Sequence, residues 1–98
     1  MDRSRFEHLY VELSVACGQR LPRYRLWLAL RESGANPEAL RREHALTFYD
    51  MDLANFLNEN GLALTPRKHR QLRRAVLFFD PGTTSADELQ ERLYRETP

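Results

Sequence analysis

Residues 65–79 read TPRKHRQLRRAVLFF, with a helix-start signal at one end and an apolar run at the other. Thr65 is a good helix cap. Pro66 suits the first helical position, because its fixed φ matches a helix and its missing N–H is not needed there. The segment therefore predicts a helix from Pro66 to Phe79. Similar start and stop signals recur along the chain, so we expect the other segments to be helical as well.

The composition supports a helical fold. The chain has 98 residues, of which four are glycine and three are valine, and it has no isoleucine. Leu, Arg, Glu and Ala, which form helices well, are abundant, whereas the β-branched residues typical of strands are scarce. A chain of this length usually forms one domain. We therefore predict a single all-α domain over residues 1–98, with five or six short helices packed as an orthogonal or irregular bundle.

Apolar periodicity and capping residues give approximate helix positions. The predicted helices cover about 3–17, 22–33, a segment beginning at 37, about 50–60, 66–79, and a final helix that Ser85 caps through the capping box Ser85–Glu88. The pattern leaves open whether 37–60 is one helix or two. A break around 44–50 is favoured, because the apolar face shifts between Leu40 and Leu46.

The second predicted helix is apolar around most of its circumference. Its apolar residues are Tyr24, Leu26, Trp27, Leu28, Ala29 and Leu30. A helix of this kind is packed on several sides or is shared with a partner. The first interpretation makes it the central helix of the core. The alternative places Tyr24 and Trp27 in contact with a protein partner or with a second copy of the chain in a homodimer.

The helix predicted at 66–79 begins with a basic cluster. Its members are Arg67, Lys68, Arg70, Arg73 and Arg74. Cations near a helix N-terminus oppose the macrodipole, so helix stability does not explain their placement. Segments 44–64 and 80–98 each carry a net charge of −3, which favours internal pairing, for example with Asp50, Asp52 or Glu59. The alternatives are binding of an acidic protein or of nucleic-acid phosphates.

The apolar end of the same helix, including Phe78, is expected to be buried. No aromatic residue then interleaves with the arginines, so the pattern does not predict stacking on the bases of a single strand.

The sequence contains no recognised catalytic, nucleotide-binding or metal-binding motif. His8 and Glu12 share a helix face, but two ligands make a weak metal signal, and Cys17 is expected to be a buried thiol. We therefore predict no catalytic residue, no metal and no cofactor, and we expect a protein that is not an enzyme. A single cysteine argues against a disulfide scaffold and favours a reducing compartment.

The chain shows neither a signal-peptide pattern nor an apolar run long enough for a membrane span. We accordingly expect a cytoplasmic, bacterial interaction or regulatory module with no membrane role, which binds a protein partner or itself. The alternative is a small nucleic-acid-binding protein that uses the basic cluster.

Residues 61–66 read GLALTP and residues 85–93 read SADELQERL, with the basic helix between them. This arrangement resembles the opening of winged-helix repressors of the ferric-uptake-regulator family. The resemblance covers about a third of the chain and implies that the last two helices cross like the first pair of a three-helix DNA-binding unit. The family's recognition helix, its wing and its His/Cys/Glu metal ligands have no counterpart in this sequence.

Overall fold

The computed structural model describes residues 4–97, and these residues form helices with no strand. The elements are α1 (Ser4–Cys17), α2 (Arg23–Glu32), a 3-10 helix (Pro37–Ala39), α3 (Arg42–Met51), α4 (Leu53–Glu59), α5 (Pro66–Phe78) and α6 (Ala86–Glu96). The predicted all-α fold is confirmed. Within this described part of the chain, no helix has the length and apolarity needed to cross a bilayer.

Local capping sets several of these boundaries. The Thr65 hydroxyl accepts a hydrogen bond from the Lys68 backbone N–H at 3.2 Å, and the Ser85 hydroxyl accepts one from Glu88 N–H at 3.1 Å. Each bond satisfies a backbone donor that the first turn leaves without a helical partner. The predicted starts of α5 and α6 are therefore confirmed.

The region 37–60 differs from the prediction. Asn36 caps the 3-10 helix by accepting from Glu38 N–H at 3.0 Å, but Leu40 then adopts an extended backbone and is buried. The next helix begins only at Arg42, and the break between α3 and α4 lies at Asp52 rather than within 44–50. Because the 3-10 helix ends after one turn, Leu40 points into the core. This is an effect of tertiary packing, which local helix propensity does not predict.

Helix α1 is the centre of the fold. Every residue from His8 to Ser14 is buried, and α5 and α6 make the most extensive inter-helix contacts of the described residues, both against α1. The interpretation that α2 is the central helix is therefore wrong. Helix α2 buries Leu26 and Leu30 completely, whereas Tyr24 and Leu28 are exposed.

One cluster of buried apolar side chains joins the helices. The largest fully buried apolar residues include Leu13, Leu26, Leu30, Phe48, Leu53 and Val76. Burial of this area is the main favourable contribution to folding. Two helix faces lie on the side away from this core and are exposed, one on α2 and one on α5.

Candidate interaction surfaces

The first surface, called here the α2 patch, consists of Arg23, Tyr24, Trp27 and Arg31. The Tyr24 side chain is 68% exposed, and its ring stacks on that of Trp27 with centroids 6.3 Å apart and planes 13° apart. The guanidinium of Arg31 lies 5.0 Å from the centroid of the Trp27 ring, which is a cation–π distance. The patch therefore presents two aligned aromatic rings, with Tyr24 facing solvent, beside a cation.

A surface cavity of about 450 Å³ adjoins the α2 patch. It is lined by Phe6 and Glu7 of α1 together with Arg23, Tyr24 and Trp27 of α2. Arg23 forms an ion pair with Glu7 and lies 4.2 Å from the centroid of the Tyr10 ring, which links the cavity edge to α1. The side chains around the cavity are thus held by the packing of α2 on α1.

The second surface, called here the arginine ridge, consists of Arg67, Arg70, Arg74 and Phe78 on α5. All four side chains are exposed. The remaining cations of the predicted basic cluster lie to either side of the ridge. Arg73 forms an ion pair with Asp50 of α3 at 3.2 Å, and Lys68 lines a cavity of about 230 Å³ together with Glu12 and Arg92.

Internal pairing of the basic cluster is limited to Arg73 within residues 4–97. The hydrogen bond and charge of Asp50 raise the pKa of Arg73 further above its ordinary value. No ion pair among the described residues includes Arg67, Lys68, Arg70 or Arg74, and none joins the cluster to Asp52 or Glu59. Glu96 and Glu91 of α6 pair instead with Arg92 and Arg95 of the same helix.

The position of Phe78 corrects the expectation that the end of α5 is buried. Its side chain is 69% exposed, whereas Phe79, which follows the helix, is 4% exposed. The Arg74 guanidinium lies 5.8 Å from the centroid of the Phe78 ring. The backbone leaves the helix at Phe79 with φ −62° and ψ 131°, which sends that ring into the core and leaves Phe78 outside. An aromatic ring therefore does share the arginine face.

A buried polar network connects α1 with α6, and sequence reasoning did not find it. Glu12 accepts a hydrogen bond from Arg92, whose Nε also donates to Glu96 Oε2 at 2.9 Å. His8 Nε2 lies 3.5 Å from Glu12 Oε1, and the imidazole stacks on the Phe79 ring with centroids 4.0 Å apart. Glu12 and Arg92 are 80 residues apart in the chain, so no local pattern connects them.

Burial, together with the nearby guanidinium groups of Arg92 and Arg5, lowers the pKa of His8 from 6.5 to about 4. The unfolded chain therefore takes up this proton at a higher pH than the folded protein does. Stability from this group is fully present above about pH 6.5 and decreases as the pH falls toward 4.

We expect the free energy of unfolding to fall by about 2 kcal/mol between pH 7 and pH 5 because of His8 alone. Denaturant unfolding at both pH values should show that His8→Gln removes this part of the pH dependence. His44→Gln, at an exposed site on α3, should retain it. Equal pH dependence in wild type and His8→Gln would contradict the assignment.

The structure brings together His8 and Glu12, the two residues considered for a metal. Cys17 lies at the end of α1 and is partly buried, which raises the pKa of its thiol. Among residues 4–97, no three His, Cys, Asp or Glu side chains are arranged to hold a metal ion. The polar network of α1 and α6 consists of ion pairs, and the candidate sites are the two exposed surfaces.

Comparison of the chain with protein-family models, curated proteins and solved structures found no match. The resemblance to ferric-uptake-regulator repressors receives no support from these comparisons. The packing also differs from the implied helix pair, because α5 and α6 make their main contacts with α1 and few with each other.

Proposed function

We propose that this protein is a non-catalytic cytoplasmic interaction module that binds a protein partner, or a second copy of itself, through the α2 patch. The observation that carries the proposal is the exposed Tyr24 ring, stacked on Trp27 at the edge of the 450 Å³ cavity. The core is completed by Leu26 and Leu30 on the other side of the same helix. The exposed position of Tyr24 is therefore more easily explained by binding than by folding.

The residue types of the α2 patch are those that dominate protein interfaces. Tyr, Trp and Arg are enriched among residues whose truncation weakens binding most, because they bury large areas and also make polar contacts. Stacking on Trp27 restricts Tyr24 before binding, which reduces the entropy lost on association. A patch with these properties favours a protein ligand over a small polar substrate.

The cavity and its charges define the kind of partner. The lining includes the rings of Phe6, Tyr24 and Trp27, so we expect a partner to insert an apolar or aromatic side chain there. Arg31, at the edge of the patch, has no acidic partner among residues 4–97 and is placed to pair with a carboxylate beside that anchor. Arg23 already pairs with Glu7 and is expected to shape the cavity.

We expect Tyr24→Ala to lose the bound partner while it keeps the wild-type unfolding midpoint. The test is affinity capture from a lysate of the source cells, together with sedimentation of the purified protein to detect self-association. Tyr94→Ala is a matched control, because Tyr94 is 66% exposed and lies 4.3 Å from the Arg20 guanidinium. Proteins retained by wild type and Tyr94→Ala but lost by Tyr24→Ala support the proposal.

The self-binding form of the proposal predicts a dimer that Tyr24→Ala dissociates. Two results together would contradict both the partner-binding and the self-binding form of the proposal. They are a monomeric wild-type protein, and capture of the same proteins by wild type and by Tyr24→Ala. Because Tyr24 does not contribute to the buried cluster, a folded variant is expected and the comparison remains interpretable.

A further inference from the structure

We propose that the arginine ridge is a second binding surface and that its ligand is single-stranded nucleic acid. Arg67, Arg70 and Arg74 are spaced three and four residues apart, which places them in one row along the exposed side of α5. Phe78 continues that row one turn further. The ridge therefore extends about 16 Å along the helix, at 1.5 Å per residue.

The charges of the ridge are not explained by the folded chain. Like charges three and four residues apart on a helix repel one another, and the first of these arginines lies at the positive end of the helix dipole. Within residues 4–97, none of the three arginines forms an ion pair with a carboxylate, although Arg73 on the same helix does. An external polyanion would supply the missing countercharge along the whole row.

The exposed Phe78 ring indicates which polyanion fits. An unpaired base can stack on an aromatic face while neighbouring cations hold the phosphates, and this combination is the usual basis of single-strand binding. Arg74 beside the ring adds a cation that can contact either the phosphate or the base. Duplex DNA keeps its bases stacked on each other, so it would use the arginines but not Phe78.

An acidic protein is a weaker fit to the ridge. Protein partners usually fix their position through a side chain buried in a pocket, and none of the cavities described above is lined by the four ridge residues. A flexible strand needs no such pocket, since successive phosphates and bases repeat along it. This inference is independent of the α2 patch, because the two surfaces share no residue.

The test measures fluorescence anisotropy of a labelled oligodeoxythymidine of about 20 nucleotides, titrated with the full-length protein at about 50 to 200 mM salt. With three or four phosphate contacts, we expect the slope of log affinity against log salt to be about −2 to −3. Phe78→Ala should weaken binding at least about fivefold, as expected for loss of one stacked base. Tyr94→Ala, which removes an equally exposed aromatic ring, should not.

Charge reversal provides the second comparison. Arg70→Glu combined with Arg74→Glu should abolish binding. Arg41→Glu combined with Arg42→Glu changes the net charge equally but at the start of α3, and should retain it. Circular dichroism is expected to show that both variants are folded.

Three results would overturn the inference. They are equal loss of binding in both double variants, duplex binding that is as tight as single-strand binding, and tighter binding of a polyglutamate peptide than of the oligonucleotide. Each of these results leaves the α2 patch and its protein partner unaffected, so failure of the two proposals can be told apart.

Discussion

Leu30→Asp is expected to abolish cooperative unfolding of this protein. The Leu30 side chain has no solvent exposure and belongs to the cluster that joins α2 to the other helices. A carboxylate there would lose its hydration without gaining a partner, which costs more than a domain of this size can lose. Thermal or denaturant unfolding followed by circular dichroism at 222 nm should show a broad, non-cooperative change or a loss of helical signal.

Leu28→Asp provides the matched control on the same helix. Leu28 is 38% exposed and lies on the outer side of α2, so the same substitution there should leave the cooperative transition in place. A folded Leu30→Asp variant with the wild-type midpoint would contradict the assignment of this face to the core. It would also imply that α2 is available for a larger interface than the α2 patch.

Arg92→Met is expected to lower the free energy of unfolding by about 2 to 3 kcal/mol. The substitution leaves the buried Glu12 carboxylate without its cationic partner, which is the costly way to break a buried pair. The effect should fall below that of a fully buried pair, since 36% of the Arg92 side chain reaches solvent. Chemical denaturation at pH 7 with circular dichroism measures the change.

Arg95→Met tests the same substitution one turn away. Arg95 pairs with Glu91 at 4.0 Å, both side chains are exposed, and an exposed pair contributes less than about 1 kcal/mol. Adding Glu12→Gln to Arg92→Met should recover part of the lost stability, because it removes the unpaired charge. Equal losses for the Arg92 and Arg95 variants, or no recovery in the double variant, would contradict the buried network.

The helix boundaries could be predicted from sequence wherever a short-range hydrogen bond sets them. Thr65 and Ser85 each bond a backbone N–H three residues ahead, so the signal is local and readable. A helix does begin at Pro37 with the Asn36 cap, as predicted, but it is a 3-10 helix of three residues, because the backbone becomes extended at the buried Leu40. Capping residues predict where a helix can begin but not how far it runs.

The central helix could not be identified from apolar pattern alone. Helix α1 contains His8, Glu12 and Ser14, which read as polar surface positions in the sequence. All three are buried because distant residues contact them: Phe79 stacks on His8, Arg92 pairs with Glu12, and the Leu21 N–H donates to Ser14 Oγ. Helix α2 has apolar residues around most of its circumference, yet part of that apolar surface faces outward.

The candidate surfaces could also be predicted only in part from the sequence. The sequence indicated Tyr24 and Trp27 as contact residues because α2 has more apolar side chains than one core-facing side of a helix can bury. The structure places Tyr24 in solvent. The sequence also identified the basic cluster, for which it left internal pairing and binding of an external anion as alternatives. It did not predict that only Arg73 finds a carboxylate among residues 4–97, or that Phe78 joins the arginines. Both facts depend on how α5 is rotated against α1 and α3.

Site-specific photo-cross-linking tests most directly whether the α2 patch contacts a protein. A photoreactive phenylalanine analogue would replace Tyr24 in one protein and the equally exposed Tyr94 in another, and each would be irradiated in the source cells. We predict one discrete cross-linked product from position 24, either with another protein or with a second copy of the chain, and none from position 94. Absence of any product from position 24, or the same products from both positions, would contradict the claim.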